Sequence, residues 1–330
     1  MPDEQPGAKR KIPPTVIDIV VAVAIVASIL IGMFIYTGIW PPLVVVESKS
    51  MQHSADESSV GTIDTGDLVL VKKVSDKFDI TTYLEGKTKG YRSYGDFGDV
   101  IVYKRGGSDE RTPIIHRAVI YLTANEDGAS FRAPSLQYLV RGGGDADYDF
   151  LNDEDTWERI TGTIRLYGYG YTNMVLNIKV GDIIAYMLHS DIPLHDGFIT
   201  KGDFNSQVDQ EIGTSVPREP VEIDWVIGKA RGEIPWFGIL KLWATGTLPA
   251  DAPDNSIRNL ALLIGVIIAI PVAVELFFWQ KERRGGPKNA PPPDEATTDM
   301  ERAMGTSPEE SENVGSDEGS TEPLEDEPPT

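Results

Sequence analysis

The sequence predicts a mainly β domain tethered by two transmembrane helices and followed by a disordered acidic tail. Three observations lead there: two apolar blocks set far apart, short aliphatic and aromatic runs between them punctuated by Gly, Asp and Pro, and a C-terminal segment with almost nothing to bury. The 330 residues hold 51 Asp and Glu against 30 Lys and Arg, a formal net charge of -21, and no cysteine. Such a charge argues against nucleic acid and other phosphate partners. Without cysteine, disulfide frameworks, thiol nucleophiles, thiolate zinc sites and iron–sulfur clusters are excluded. Four histidines remain: His53, His116, His189 and His195.

Residues 1–15 read as a short N-terminus carrying Lys9, Arg10 and Lys11. Residues 16–40 read as the first transmembrane helix, because Ile19 to Trp40 is uncharged and matches the roughly 20 apolar residues that cross a bilayer. Pro41-Pro42 is expected to end it, and Tyr36 and Trp40 suit the interface. A cleaved secretory signal is the rival reading, but the run is long for an h-region and lacks a small-x-small site before the prolines. Residues 41–257 form the β domain, with strands expected at 67–74, 99–103, 114–122, 137–140, 164–169, 182–188, 198–200 and 221–227. The polar segments 75–97 and 141–160 read as surface insertions. Residues 258–280, with Pro271 inside, form the second transmembrane helix. Residues 281–330 hold a basic stretch (Lys281, Arg283, Arg284, Lys288) and then, from Asp294, 13 acidic residues against Arg302 alone, a composition that stays disordered. The basic residues flanking both spans put both termini in the cytoplasm and 41–257 outside, in a two-pass protein of the cell membrane.

A β domain without thiols leaves a hydroxyl as the main nucleophile. Ser50 follows the apolar run Val44–Val46, and an extended chain rising at most about 3.3–3.6 Å per residue keeps it within roughly 30 Å of the membrane boundary. Four blocks then occur in order: Ser48-Lys49-Ser50-Met51; Gly98-Asp99-Val100-Ile101-Val102-Tyr103 with Ile114-Ile115-His116-Arg117; Lys201-Gly202-Asp203-Phe204-Asn205 with Asp209; and Ile227-Gly228-Lys229-Ala230 with Ile234-Pro235-Trp236-Phe237-Gly238. Together they resemble type I signal peptidases of the archaeal and endoplasmic-reticulum branch, over most of residues 41–245.

The resemblance implies a signal-peptidase-like β catalytic domain and a serine endopeptidase that cleaves signal peptides from secreted preproteins through an acyl-enzyme. It implies Ser50 as nucleophile, His116 where the bacterial branch carries lysine, Asp203 and Asp209 as the two aspartates, and a Ser48 hydroxyl in the oxyanion site. Preproteins, the protein translocon and the lipid bilayer are the implied partners, with no cofactor and no metal. The chain departs from the family pattern at Gln52-His53, where a proline usually stands second after the methionine, in a longer linker before Gly66-Asp67, and in a large insertion over 123–180.

The residues also support the chemistry on their own terms. A serine hydroxyl needs a base, and an imidazole with a reference pKa of about 6.5 suits a base that then acts as an acid. His116 sits in an apolar strand pattern, where its plainer role is a bond to a neighbouring carbonyl. Asp209 would accept the other imidazole N–H, or simply face water. Asp203, in a Gly-Asp turn, is expected in a supporting role, accepting backbone N–H groups or assisting Asp209; sequence leaves open which aspartate orients the histidine. Ser48 and Ser50 share a face if the chain is extended. Lys72 and Lys104 are rival bases if burial lowers their pKa, although each adjoins a second basic residue as at a solvated strand end. His189 and His195 with Asp191 and Asp196 invite zinc, and Asp145, Asp147, Asp149, Asp153, Glu154 and Asp155 invite calcium; a plain loop and a charged insertion are the preferred readings, because the calcium-loop pattern is incomplete. Trp236, Phe237 and Trp243 suit either lipid headgroups or the core. A noncatalytic, membrane-anchored β module of the export machinery is the alternative function.

Overall fold

The structure, a computed structural model, describes residues 13–211, 213–214, 216–247 and 252–284. The basic residues Lys9, Arg10, Lys11 and Lys288 and the acidic tail from Asp294 lie outside the described residues. The chain divides into two units between Ile268 and Ala269, and in the second the described residues are the last half of the helix Asp254–Arg284.

The first helix, Pro14–Thr37, opens with proline where a missing N–H has no helical partner to lose. It stops earlier than the prolines suggest. Gly38 adopts φ 71° and donates its N–H to the Phe34 carbonyl at 2.8 Å, a left-handed cap that ends the helix three residues before Pro41. From Val16 to Tyr36 the side chains are almost all exposed, as are the apolar residues of Asp254–Arg284 from Leu262 to Trp279 that face outward. Both helices are long and apolar enough to cross a membrane.

Between them the domain is β-rich. Its main sheet runs in the order Leu43–Val45, Leu68–Lys72, Val226–Ile234, Val100–Tyr103, Ile114–Ala124, Gly197–Lys201, and Phe131–Arg132 pairs with the far end of Ile114–Ala124. All these pairings are antiparallel. A second sheet joins Met174–Lys179, Thr163–Tyr169 and Tyr148–Phe150, and Arg92–Ser93 with Asp96–Phe97 makes a short hairpin.

Several sequence expectations need correction. Residues 221–227, expected as a strand, hold the 3-10 turn Ile223–Trp225, and the strand Val226–Ile234 begins after it. Residues 182–188 are helical, within Val180–His189, not a strand. Val180, Ile183, Ile184 and Met187 are its buried face, which is the i, i+3, i+4, i+7 spacing of a helix hidden in a uniformly apolar run. Residues 137–140 overlap a 3-10 turn, Pro134–Tyr138, and form no strand. Segment 75–97 is no surface insertion: the helix Tyr83–Lys89, held by a Thr82/Glu85 capping box, buries Tyr83 and Leu84 in the core. Part of the 123–180 insertion, 148–150 and 163–179, builds the second sheet around the same core.

The recurring Gly-Asp pairs tie distant segments together. Asp99, buried, accepts from Thr81 N–H (2.8 Å), Tyr91 O–H (2.7 Å) and Lys229 Nζ (3.0 Å), which joins the 98–103 block to the 227–230 block. Asp67 accepts from Asp64 N–H and Trp236 N–H, both 2.8 Å, which joins Gly66-Asp67 to the closing block. Burial beside Asp64 and Glu233 pushes the Asp67 carboxyl up to about 7, although the two N–H bonds pull the other way.

Gly98 has φ 78°, and a Cβ there would stand 2.6 Å from Thr82 C and Tyr83 N. Gly98→Ala combines left-handed strain with overpacking, so a loss of about 1–3 kcal/mol is expected. Thermal unfolding of the detergent-solubilised chain, followed by circular dichroism, checks this: the melting temperature falls by several degrees, and an unchanged midpoint contradicts it.

Candidate active site

The site is built from three segments that are remote in sequence. The first is the turn after the edge strand Leu43–Val45. Ser48 is extended, and Lys49–Met51 then form one 3-10 turn, not a continued strand. Met51 anchors that turn in a core of Val46, Ile63, Val69, Val71, Val100, Val102 and Ala230. Gln52, also buried, accepts from Thr65 O–H at 2.7 Å. Ser50 is thus a partly exposed residue on a turn fixed from behind. The Ser48 and Ser50 hydroxyls meet at 3.2 Å despite the turn.

The second segment is the strand Ile114–Ala124, where alternation sends His116 and Arg117 to opposite sides. The third is the loop that leaves the edge strand Gly197–Lys201 and carries Asp203 and Asp209. Asp209 takes the histidine. Its Oδ2 accepts from His116 Nδ1–H at 2.6 Å, from Thr200 O–H at 2.6 Å and from Tyr103 O–H at 2.8 Å. A carboxylate can only accept, so the imidazole hydrogen sits on Nδ1 and, in the neutral ring, Nε2 is left as the base. Burial and the neighbouring Asp209 raise the Tyr103 hydroxyl well above its ordinary pKa, which keeps it a donor.

Asp203 takes the arginine. Arg117 is fully buried and donates through Nε to Oδ1 at 2.8 Å and through a terminal nitrogen to Oδ2 at 2.6 Å, a bidentate pair. Its remaining donors reach the carbonyls of Ser93, Phe97 and Gly98 at 3.0–3.1 Å. Burial works to raise the Asp203 pKa, but the Arg117 charge and hydrogen bonds, with His53, more than offset it and hold the carboxyl well below the usual range. Among the described residues Asp203 accepts from two side chains, Arg117 and His53, where backbone N–H groups were expected as donors.

Gly202 brings the first segment to the second. A Cβ there would lie 2.5 Å from the Ser50 carbonyl oxygen and 2.9 Å from His116 Nε2, so both flank one point. Phe204 N–H donates to that same Ser50 carbonyl at 2.9 Å. Among the described residues the Ser50 hydroxyl bonds to Ser48 and not to His116. Such bonds are often loose without substrate, and rotation about one bond re-aims a serine hydroxyl.

The other candidates lie apart. Lys104 pairs with Asp109 at 2.7 Å, and Lys72 sits over the Tyr36 ring. His189 and Asp191 are exposed; His195 bonds the Asp196 carbonyl and has Glu219 and Glu222 at 3.8 Å. Of the acidic run, Asp147 pairs with Lys87, Asp149 with Arg141, and Asp155 accepts from Thr161 and Gly162 N–H. Among the described residues no group of three or more His, Asp or Glu is arranged to hold a metal ion. Trp236 is tied inward through Asp67 and Ser58, whereas Trp243 is 76 % exposed.

Sequence reasoning missed Tyr103, Thr200, His53 and Lys201. Lys201 is buried, donates to the Gly202 and Asp203 carbonyls at 2.9 and 3.2 Å, and lies 5.2 Å over the Tyr169 ring. Burial lowers its pKa to about 8. No protein-family model matches the chain, and no curated protein matches it.

Lys201 links the stability of the fold to pH. Its folded pKa lies below the unfolded lysine value, so the cost of burying the charge is present in full below about pH 8. That cost fades as pH rises from there toward the ordinary lysine range. The stability difference between the native chain and Lys201→Met should therefore move in favour of the native chain between roughly pH 7 and 10. Denaturant midpoints of the two proteins measured side by side check this; a difference constant with pH contradicts it.

Proposed function

We propose that this chain is a membrane-anchored serine endopeptidase of the signal-peptidase type, which removes N-terminal signal peptides from exported preproteins on the outer face of the membrane. The observation that carries the reading is that the Ser50 backbone carbonyl and His116 Nε2 both flank Gly202, which brings the Ser50 turn beside the imidazole, with His116 Nδ1 held by Asp209 at 2.6 Å. That is the nucleophile, base and orienting carboxylate of acyl-transfer chemistry. The ordered blocks of the sequence supply the substrate class.

In this reading the preprotein lies extended along the sheet edge Leu43–Val45, a few residues before Ser50, and its main chain adds to that edge. Ser50 Oγ attacks the carbonyl carbon of the scissile bond while His116 Nε2 takes the hydroxyl proton. Asp209 stabilises the imidazolium that forms. The tetrahedral intermediate collapses, the C–N bond breaks, and His116 returns the proton to the leaving amine, which departs as the mature protein. Water then attacks the ester on Ser50 with His116 again as base, and the signal peptide leaves as a carboxylate. The Ser48 hydroxyl, which lies 3.2 Å from Ser50 Oγ, would donate to the developing oxyanion.

Ser50→Ala and His116→Ala should each abolish cleavage of a purified preprotein in detergent while the protein stays folded. Asp209→Asn should lower the rate by about 10⁴-fold, since the amide cannot hold the same tautomer. Lys104→Ala should retain most activity, because its amine is engaged with Asp109. Full cleavage by Ser50→Ala or His116→Ala, or a dead Lys104→Ala enzyme, would overturn the reading.

A further inference from the structure

A second imidazole stands beside the nucleophile turn. His53 follows Ser50 by three residues, its side chain is 17 % exposed, and its Nε2 lies 3.0 Å from Asp203 Oδ2. The same carboxylate grips Arg117 through both oxygens, and Arg117 adjoins His116. A closed circuit therefore runs from the nucleophile turn through His53 and Asp203 to Arg117 and the strand that bears the base. The Ser50 carbonyl closes a shorter circuit of its own through Phe204 N–H.

The His53 ring is itself held. Tyr171, at the tip of the hairpin formed by Thr163–Tyr169 and Met174–Lys179, stacks on one face at 4.2 Å with the planes 13° apart. Gly95 runs close to the Cε1–Nδ1 edge: with φ 80°, a Cβ there would come within 2.8 Å of Cε1 and 3.1 Å of Nδ1. A ring fixed by a stacked neighbour, a crowded edge and a charge-assisted bond is a rigid strut. The turn it braces is the one whose misplacement by about 1 Å would cost roughly 10²-fold in rate.

We propose that His53 is a positioning residue for Ser50, acting through Asp203, with the Tyr171 stack holding its ring. This rests on the serine peptidase reading above. Asp203 only accepts, so the hydrogen is on His53 Nε2 in the neutral and in the charged ring alike. Among the described residues Nδ1 has no hydrogen-bond partner, and a proton arriving there leaves the bond to Asp203 intact. The charged groups around the ring are Asp203, Arg117 and Asp96. The role of His53 is therefore to donate one hydrogen bond to Asp203.

A glutamine amide nitrogen can stand where His Nε2 stands, which makes the proposal separable from a role in proton transfer. The measurement is the rate of Ser50 acylation by a serine-directed phosphonate probe in the full-length chain in detergent, over roughly pH 5 to 9. His53→Ala should slow acylation by about tenfold or more with unchanged melting behaviour, because a loosened turn lowers the fraction of productive geometry. His53→Gln should recover to within about threefold of the native rate, with the same pH midpoint. Tyr171→Ala, which leaves the Asp203 bond in place, should slow acylation by a smaller factor and covers the case in which His53→Ala fails to accumulate. Native rates in His53→Ala, native rates in Tyr171→Ala where His53→Ala does not accumulate, or a His53→Gln protein that is as slow as alanine or shifted in pH midpoint, would overturn the proposal. Failure of the native chain to label at Ser50 would instead overturn the peptidase reading, and this proposal with it, so the two failures are distinct.

Discussion

Two neighbouring residues on one strand set the geometry of the whole site. His116 and Arg117 point to opposite sides of the Ile114–Ala124 strand, and each is claimed by an aspartate from the single loop that follows Gly197–Lys201. Arg117 has no exposure at all, so its charge must be balanced inside the protein. Asp203 does this, and in doing so it fixes the loop. With the loop fixed, Asp209 is placed for His116, Gly202 for the close approach of Ser50, and Phe204 N–H for the Ser50 carbonyl. The His116 imidazole is oriented because an arginine one residue away has to be neutralised.

The turn that carries Ser50 depends on the same constraint from its other side. Met51 and Gln52 hold it to the core and to Thr65, while His53 and the Ser50 carbonyl hold it to the 202–204 loop. In the proposed function this gives a serine that is rigidly placed yet close in sequence to the helix Pro14–Thr37. The cut is then made beside the bilayer, where the signal peptide of an arriving preprotein is still anchored.

Much of the architecture was legible because it rests on local chemistry. Uncharged runs of bilayer length stand out at any position, and short aliphatic and aromatic runs bounded by Gly, Asp and Pro, such as 114–122 and 164–169, read as strands. The helix Val180–His189 was misread because both of its faces are apolar there, which erases the difference between periods of 2 and 3.6. Segment 75–97 was misread because its polar surface hides buried apolar residues, Ile80, Tyr83 and Leu84. At the site, Ser50, His116 and the two aspartates could be named from ordered blocks, but their division of labour could not. Asp203 and Asp209 differ only in which side of a strand they reach, a property of register and not of spacing. His53 stood out only as a departure from the family pattern, and Tyr171 not at all: their pairing spans more than a hundred residues and exists only once the second sheet has folded against the turn.

The account stands on Ser50 becoming covalently joined to its substrate with His116 as the base. Mixing the native chain with a preprotein, quenching with acid within the first turnover, and mapping the modified peptide by mass spectrometry tests this most directly. The account requires a signal-peptide ester on Ser50 and on no other residue, lost when His116 is replaced by alanine. Processed preprotein with no adduct on the chain, or an adduct on a different residue, would contradict it.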